Sequence, residues 1–141
     1  MKSTVIFACV HNAGRSQMAA AWFNELADPT KAHAVSAGTK PGDHVHPVVV
    51  EAMRERGIDL SNAKPQLLTS ELASHASHLV TMGCGEDCPV TPPSTKRLDW
   101  PLEDPKNKPL DAVRPIRDDI RERVIALLEA EGWRRLAGAA R

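Results

Sequence analysis

A cysteine and an arginine enclose a short loop near the start of the chain, in the segment CVHNAGRS. Cys9 ends an apolar run, and Arg15 and Ser16 begin a segment with helical periodicity, so the loop leads from a strand into a helix N-terminus. Free N–H groups at a helix N-terminus bind anions, and a guanidinium offers a fork of donors to a tetrahedral oxyanion. The same positive field, together with the Ser16 hydroxyl, favours the thiolate of Cys9. The spacing therefore predicts an oxyanion site with a cysteine nucleophile at its floor.

The loop itself supplies the predicted binding groups. Small residues let the backbone approach a ligand closely, because Gly14 has no side chain and Ala13 has a short one. A buried thiol that merely ends a strand is the alternative interpretation of Cys9. We expect oxyanion contacts from the segment formed by Val10, His11, Asn12, Ala13, Gly14 and Arg15.

Two further cysteines and one aspartate are candidates for a part in the same chemistry. Cys84 and Cys88 lie in one loop, and with Cys9 they make three cysteines, an odd number that does not suggest a framework of structural disulfides. Each is either an inert buried thiol or a reactive one. Asp104 precedes Pro105, a pairing that is common in turns, and is either a turn residue or a proton donor.

The elements that must position these residues alternate along the chain. Short β-rich runs cover residues 4–9, 33–39, 77–83 and 96–101, and helical patterns cover residues 16–26, 47–58, 70–76 and 111–133. Strands that alternate with helices predict parallel βαβ units, and hence an α/β fold in which helices sandwich a parallel sheet. Ligands bind beyond the carboxyl ends of the strands in such sheets, which is where Cys9 is expected to lie.

Composition excludes several classes of function. The 141 residues suit one domain, which we take to span residues 1–141. The chain has 18 Lys and Arg against 18 Asp and Glu, so it lacks the basic bias of a nucleic-acid-binding protein. No apolar run approaches the ~20 residues that span a bilayer, and no secretory signal is evident. We expect a cytoplasmic monomer that binds neither nucleic acid nor membranes.

Several segments together resemble a known family. Arsenate reductases of the low-molecular-weight tyrosine phosphatase fold are similar to this chain in the segments VIFACVHNAGRSQMAAAWF, AVSAGT, GIDLS, HLVTMGCGEDCP and KRLDWPLEDP. The resemblance covers nearly the whole chain. It implies a three-layer sandwich with a four-stranded parallel sheet, and an enzyme that reduces arsenate to arsenite with thiols for arsenic detoxification.

The family implies a role for each candidate residue. Cys9 would attack arsenic, and Asp104 would protonate the leaving oxygen. Cys84 would attack the sulfur of Cys9, and Cys88 would then pass the disulfide to an external reductant, with no cofactor bound. That reductant would be thioredoxin, or a small thiol such as mycothiol with a glutaredoxin-like protein (a mycoredoxin). The second branch is suggested because the spacer GED between the two cysteines is shorter than the thioredoxin-coupled branch usually has.

Two other functions would use some of these residues. A phosphatase acting on phosphotyrosine or a small phosphoester would use Cys9, Arg15 and Asp104, but it would not need two further cysteines. The chain contains no tyrosine, and Lys106 stands where phosphatases often place an aromatic residue. A non-enzymatic module that binds arsenite or senses redox state would need the three thiols alone.

A potassium site is found near this loop in some family members. Asn12 and Ser36 fit that site, but Ala20 stands at one of its acidic positions and Lys64 stands near another. We therefore expect no bound potassium, and no other metal.

Two groups of charged or titratable residues are expected outside the site. His44 and His46 do not have the spacing of a metal site and are expected in a solvated loop. Arg117, Arg121 and Arg123 alternate with acidic residues on the last helix, so we expect them on a solvated, salt-bridged face.

Overall fold

A computed structural model describes residues 2–82 and 91–135 of the chain. Within these ranges the strands are β1 (Ser3–Cys9), β2 (Ala32–Gly38), β3 (His78–Thr81) and β4 (Lys96–Asp99). The helices are α1 (Arg15–Leu26), α2 (Pro47–Arg54), α3 (Ser70–Ser74) and α4 (Leu110–Glu131). Every predicted strand and helix is present, with ends that differ by a few residues. None of these helices is both long enough and apolar enough to cross a membrane.

The four strands form one parallel sheet in the order β2-β1-β3-β4. β1 pairs with β2 along its whole length, from Ser3 opposite Ala32 to Cys9 opposite Gly38, and with β3 on its other side. All β1 residues from 5 to 9 are buried, as expected for a strand whose two faces are both covered. The predicted four-stranded parallel sheet is confirmed.

Alternation along β1 divides the core between the two faces of the sheet. Val5, Phe7 and Cys9 belong to the larger hydrophobic core, which α1, α2 and α4 cover. Ile6 and Ala8 belong to the smaller core on the other face, which α3 and the segment before it cover. The helices therefore form the two outer layers of the predicted sandwich, and the candidate nucleophile lies on the side of the larger core.

One prediction about α4 is wrong, because Arg117 does not lie on a solvated face. Its side chain is 2% exposed, and it donates hydrogen bonds to the backbone oxygen of Ala52 at 2.9 Å and to the carboxylate of Glu55 at 2.7 Å. The last carbonyl groups of a helix have no partner inside the helix, and a guanidinium can satisfy them. The packing of α4 against the C-terminal end of α2 therefore buries Arg117.

The other two arginines of that face lie nearer the surface, as predicted. Arg123 donates to Asp119 one turn earlier at 3.1 Å. Arg121 pairs with Glu122, and its guanidinium lies 5.6 Å from the centre of the Trp22 ring, a distance at which the ring attracts a cation.

Candidate active site

The loop between β1 and α1 places Cys9 at the carboxyl edge of the sheet and Arg15 at the start of the helix. Cys9 is buried, and its Sγ atom lies 2.9 Å from the Oγ atom of Ser16. Ser16 lies in the first turn of α1 and is fully buried. The contact between thiol and hydroxyl that the spacing of these residues predicts is therefore present.

Asn12 also forms a hydrogen bond with the hydroxyl of Ser16. Its Nδ2 atom donates to the Oγ atom of Ser16 at 2.8 Å. This bond uses an acceptor position of the hydroxyl and leaves the hydroxyl proton for the sulfur of Cys9. Asn12 is fully buried and has a φ of 51°, a left-handed conformation that asparagine adopts more readily than most residues.

Two glutamines hold Asn12 in this conformation, and sequence reasoning missed both. The side-chain amide of Gln17 donates to the backbone oxygen of Asn12 at 3.0 Å and to its Oδ1 atom at 3.3 Å. The backbone N–H of Gln66 donates to the same Oδ1 atom at 2.9 Å. The place of Gln17 next to Ser16 was an available signal. Gln66 is distant in the sequence and gives no such signal.

The backbone oxygens of the loop point outward, toward the segment that follows β2. Four of them accept hydrogen bonds of 2.8–3.3 Å from backbone N–H groups of residues 39–46. The oxygens are those of Cys9, Val10, His11 and Ala13, and the donors are Thr39, Lys40, Gly42 and His46, in that order. Peptide units with outward oxygens present their N–H groups to the inside of the loop, which is the arrangement that binds an oxyanion.

Two glycines allow other segments to pack closely on the loop. A Cβ atom on Gly38, at the end of β2, would lie 2.6 Å from the backbone oxygen of Val10. A Cβ atom on Gly14 would lie 2.7 Å from the Cγ atom of Pro105. Gly38 thus lets β2 contact the loop, and Gly14 lets the segment after Asp104 contact it from another side.

Arg15 brings the Asp104 segment to the loop. One terminal nitrogen of its guanidinium donates to the backbone oxygen of Leu102 at 2.9 Å, and the other lies 3.7 Å from the carboxylate of Asp104. The side chain of Asp104 is 45% exposed, and its second oxygen accepts the backbone N–H of Lys106 at 3.0 Å. Asp104 is therefore a turn residue and also a carboxylate beside the loop, so the two interpretations are compatible.

His46 does not fit the prediction of a solvated loop, whereas His44 is exposed as expected. The ring of His46 is half-buried and lies against Gly14, with its Cδ2 atom 3.4 Å from the position that a Cβ atom there would occupy. Burial lowers the pKa of His46, and the negative charge of Asp104 raises it. His46 is thus a further residue of this site. The sequence did not indicate this, because His46 was interpreted together with His44 as part of one solvated loop.

The structure describes some of the predicted site residues but not all of them. Four predicted catalytic residues fall within the described ranges and lie together. Cys9, Arg15 and Ser16 lie where β1 leads into α1, and Asp104 lies beside Arg15. His11 belongs to the loop, and its Nδ1 atom lies 3.1 Å from the backbone oxygen of Lys40. Cys84 and Cys88 lie outside the described residues, so their part in the chemistry stays a prediction.

Side-chain amides donate hydrogen bonds to backbone oxygens of the residues that were compared with the potassium site of some family members. The side-chain amide of Gln66 donates to the backbone oxygen of Ser36 at 2.8 Å. That of Gln17 donates to the backbone oxygens of Asn12, at 3.0 Å, and Lys64, at 3.4 Å. Within residues 2–82 and 91–135, no group of three His, Cys, Asp or Glu side chains could hold a metal ion. The absence of bound potassium stays a prediction.

Comparison with known proteins gives relatives over most of the chain. The sequence profile of the low molecular weight phosphotyrosine protein phosphatase family matches residues 4–136. Arsenate reductase 2 of Staphylococcus epidermidis is 37% identical over 124 residues, which cover 85% of this chain and 92% of that protein.

Two solved structures share the fold. The thioredoxin-dependent arsenate reductase of Corynebacterium glutamicum has a TM-score of 0.79 and 38% identity over 91% of this chain, which spans 61% of the length of that longer protein. An arsenate reductase of Archaeoglobus fulgidus has a TM-score of 0.73 and 31% identity, covering 89% of this chain and 98% of that one. These likenesses run through the same sheet, helices and loop that carry the site, and the chain belongs to the low molecular weight phosphotyrosine protein phosphatase family.

Proposed function

We propose that this protein is an arsenate reductase, an enzyme that converts arsenate to arsenite with electrons from thiols and so serves arsenic detoxification. The observation that carries the proposal is the chain of hydrogen bonds from Asn12 through Ser16 to the sulfur of Cys9. This sulfur lies at the floor of a loop whose N–H groups face inward. The relatives from Staphylococcus epidermidis and Corynebacterium glutamicum are arsenate reductases, which supports arsenic as the reacting atom.

The first proposed step forms a bond between sulfur and arsenic. The thiolate of Cys9 attacks arsenic, and one hydroxyl group of the arsenate leaves as water after it takes a proton from Asp104. Arg15 and the N–H groups of the loop hold the remaining oxygens. Arsenic is still arsenic(V) in this adduct, so the electrons move only in the next step.

The second proposed step reduces arsenic. The thiolate of Cys84 attacks the sulfur of Cys9, the bond between sulfur and arsenic breaks, and its electron pair stays on arsenic, which leaves as arsenite. The two sulfurs form a disulfide, so the thiols lose the two electrons that arsenic gains. Cys88 then attacks Cys84, which frees Cys9 and leaves a disulfide between Cys84 and Cys88.

The last disulfide needs an external reductant, and two classes are candidates. The Corynebacterium glutamicum relative is thioredoxin-dependent, which favours thioredoxin. The short spacer between Cys84 and Cys88 favours a small thiol such as mycothiol, with a mycoredoxin or another glutaredoxin-like protein.

Oxidation of the reductant in the presence of arsenate tests the proposal. The purified protein with thioredoxin, thioredoxin reductase and NADPH should consume NADPH only when arsenate is added. A parallel reaction replaces thioredoxin and its reductase with mycothiol, a mycoredoxin and an NADPH-dependent reductase of mycothiol disulfide. The Cys9→Ser variant should keep its circular dichroism spectrum, since serine is close in size to cysteine, and should lose turnover with both donors. A folded wild-type protein that turns over arsenate with neither donor would contradict the proposal.

A phosphatase is the second candidate, because Cys9, Arg15 and Asp104 are also the groups that such an enzyme needs. The family profile favours it. The double variant Cys84→Ser, Cys88→Ser separates the two functions, since hydrolysis of para-nitrophenyl phosphate should survive in it and arsenate turnover should not. A non-enzymatic arsenite-binding or redox-sensing module would bind arsenite through the three thiols with no turnover of arsenate.

A further inference from the structure

His46 lies where two parts of the site meet. Its backbone N–H donates to the backbone oxygen of Ala13 at 2.9 Å, which attaches the residue to the oxyanion loop. Its ring and the ring of Pro105 both pack on Gly14: a Cβ atom there would lie 3.4 Å from Cδ2 of His46 and 2.7 Å from Cγ of Pro105. The imidazole thus borders the segment that carries Asp104.

The ring of His46 also faces charged groups. The charged and titratable side chains that act on it are Asp104, Lys106, His11 and His44. Asp104 supplies the negative charge of this set and favours the imidazolium form of His46, while burial of the ring acts more strongly in the opposite direction. Coupling between two titrating groups is reciprocal. The charge on either group therefore acts on the other.

We propose that His46 is a positioning residue for Asp104. Its ring and Gly14 fix the place of Pro105, and the charge of its ring acts on the neighbouring carboxyl of Asp104, the group that gives a proton to the leaving oxygen. The inference rests on the proposed function, in which Asp104 is the acid.

A titration of the free protein tests the coupling without any arsenate. The histidine ring signals of the full chain are followed by NMR against pH in the wild type and in Asp104→Asn. Loss of the negative charge should make His46 titrate at a lower pH. His75 is exposed at the end of α3, and its ring signals are the internal control for the comparison. Identical titration of His46 in the two folded proteins would overturn the inference, whatever the protein does with arsenate.

Kinetics of His46→Gln test the consequence for the reaction. We expect kcat for arsenate to fall about tenfold, because a displaced acid is less effective, and KM to change by less than about twofold, because the loop is intact. On the acid side, the plot of kcat against pH should show the ionisation of His46 in the wild type and lack it in His46→Gln. His44→Gln, an exposed change in the same segment, should match the wild type.

The outcomes separate this inference from the proposed function. A wild type without arsenate turnover contradicts the proposed function, while the titration still measures the coupling. A His46→Gln variant with wild-type kcat and an unchanged pH profile overturns the positioning role. If that variant does not fold, the comparison of wild type with Asp104→Asn decides.

Discussion

At the scale of single residues, the site depends on where protons are held around Cys9. Asn12 donates to the hydroxyl of Ser16, and the proton of that hydroxyl remains available to the sulfur. Asn12 and Ser16 are neutral and fully buried, which protects their hydrogen bonds from competition with water. Arg15 supplies the positive charge of the loop, and its guanidinium also pairs with the carboxylate of Asp104, the candidate acid.

Arg15→Lys should lower kcat/KM for arsenate by about 10²-fold or more. An ammonium is a single point charge and cannot replace the planar fork that is proposed to hold two oxygens of the substrate. It also has one nitrogen, whereas the guanidinium uses one nitrogen for the backbone of Leu102 and another to face Asp104. Steady-state kinetics compare this variant with Arg123→Lys on the exposed face of α4. Similar rates for both variants would count against a contact between Arg15 and the substrate.

Asp104→Asn should lower kcat by about 10²–10⁴-fold, the usual contribution of a general acid. The amide keeps the shape of the side chain and can still accept the hydrogen bond from Lys106, so the turn should survive. KM should change far less than kcat. A variant with normal turnover would leave Asp104 with the role of a turn residue only.

Single residues differ in how far the sequence alone reveals them. Cys9, Arg15 and Ser16 were predictable because the covalent chain fixes their spacing within one loop and one helical turn. Gln66 and His46 were not, because their contacts with the loop arise only when β2 and the segments after it pack beside β1. Side chains that support a site from distant segments carry no local pattern.

At the scale of elements, the loop is supported by the end of β2. Gly38→Ala should raise KM for arsenate about tenfold, because the added methyl group would lie 2.6 Å from the oxygen of Val10 and 2.9 Å from the nitrogen of Asn12. The loop must move, and its N–H groups lose their alignment. Gly42→Ala is the matched control, since the nearest atom to its methyl group is 3.8 Å away. Equal KM values in the two variants would show that the loop tolerates displacement.

The packing of α4 against α2 has its own test. Arg117→Ala should lower the free energy of unfolding by about 3 kcal/mol, because the backbone oxygen of Ala52 and the carboxylate of Glu55 lose a buried partner. Arg123→Ala on the same helix breaks an exposed pair and should cost less than about 1 kcal/mol. Urea denaturation measures both. Equal losses would contradict a structural role for burial of Arg117.

The contact between Arg117 and Glu55 also makes the stability of the fold depend on pH. Hydrogen bonds from Arg114 and Arg117 lower the pKa of Glu55 from 4.5 to about 2. A carboxyl whose pKa is lower in the folded state stabilises the fold above its unfolded pKa. That contribution is full above pH 4.5 and is lost as pH falls toward 2, so Arg117→Ala should lose less stability over this interval than the wild type.

Elements were predicted more fully than the contacts between them. The strands and helices follow from local periodicity, and their alternation indicates the parallel sheet. The burial of Arg117 depends on which face of α4 packs against α2. In the sequence, an arginine followed by two acidic residues indicated an exposed position instead.

At the scale of the whole molecule, the proposed reaction needs Cys9 and the two later cysteines to act in order. After one turnover with arsenate and no reductant, mass spectrometry of trapped peptides should show a disulfide between Cys84 and either Cys9 or Cys88. Cys88→Ser should stop at the disulfide between Cys9 and Cys84, with arsenite already released. Full turnover of both Cys84→Ser and Cys88→Ser with a small thiol would exclude the internal relay and leave an enzyme that uses one cysteine.

The inward N–H groups of the loop bear on competition inside a cell. They respond to the shape and charge of an anion, which phosphate and arsenate share. A phosphoryl group on Cys9 cannot leave when a second thiol attacks the sulfur, because phosphorus(III) is far harder to form than arsenic(III), and only water could release it. Under the proposed function, the two anions are therefore distinguished after binding, by the reducibility of the bound element. Phosphate should act as a reversible competitor that raises the apparent KM for arsenate and leaves kcat unchanged.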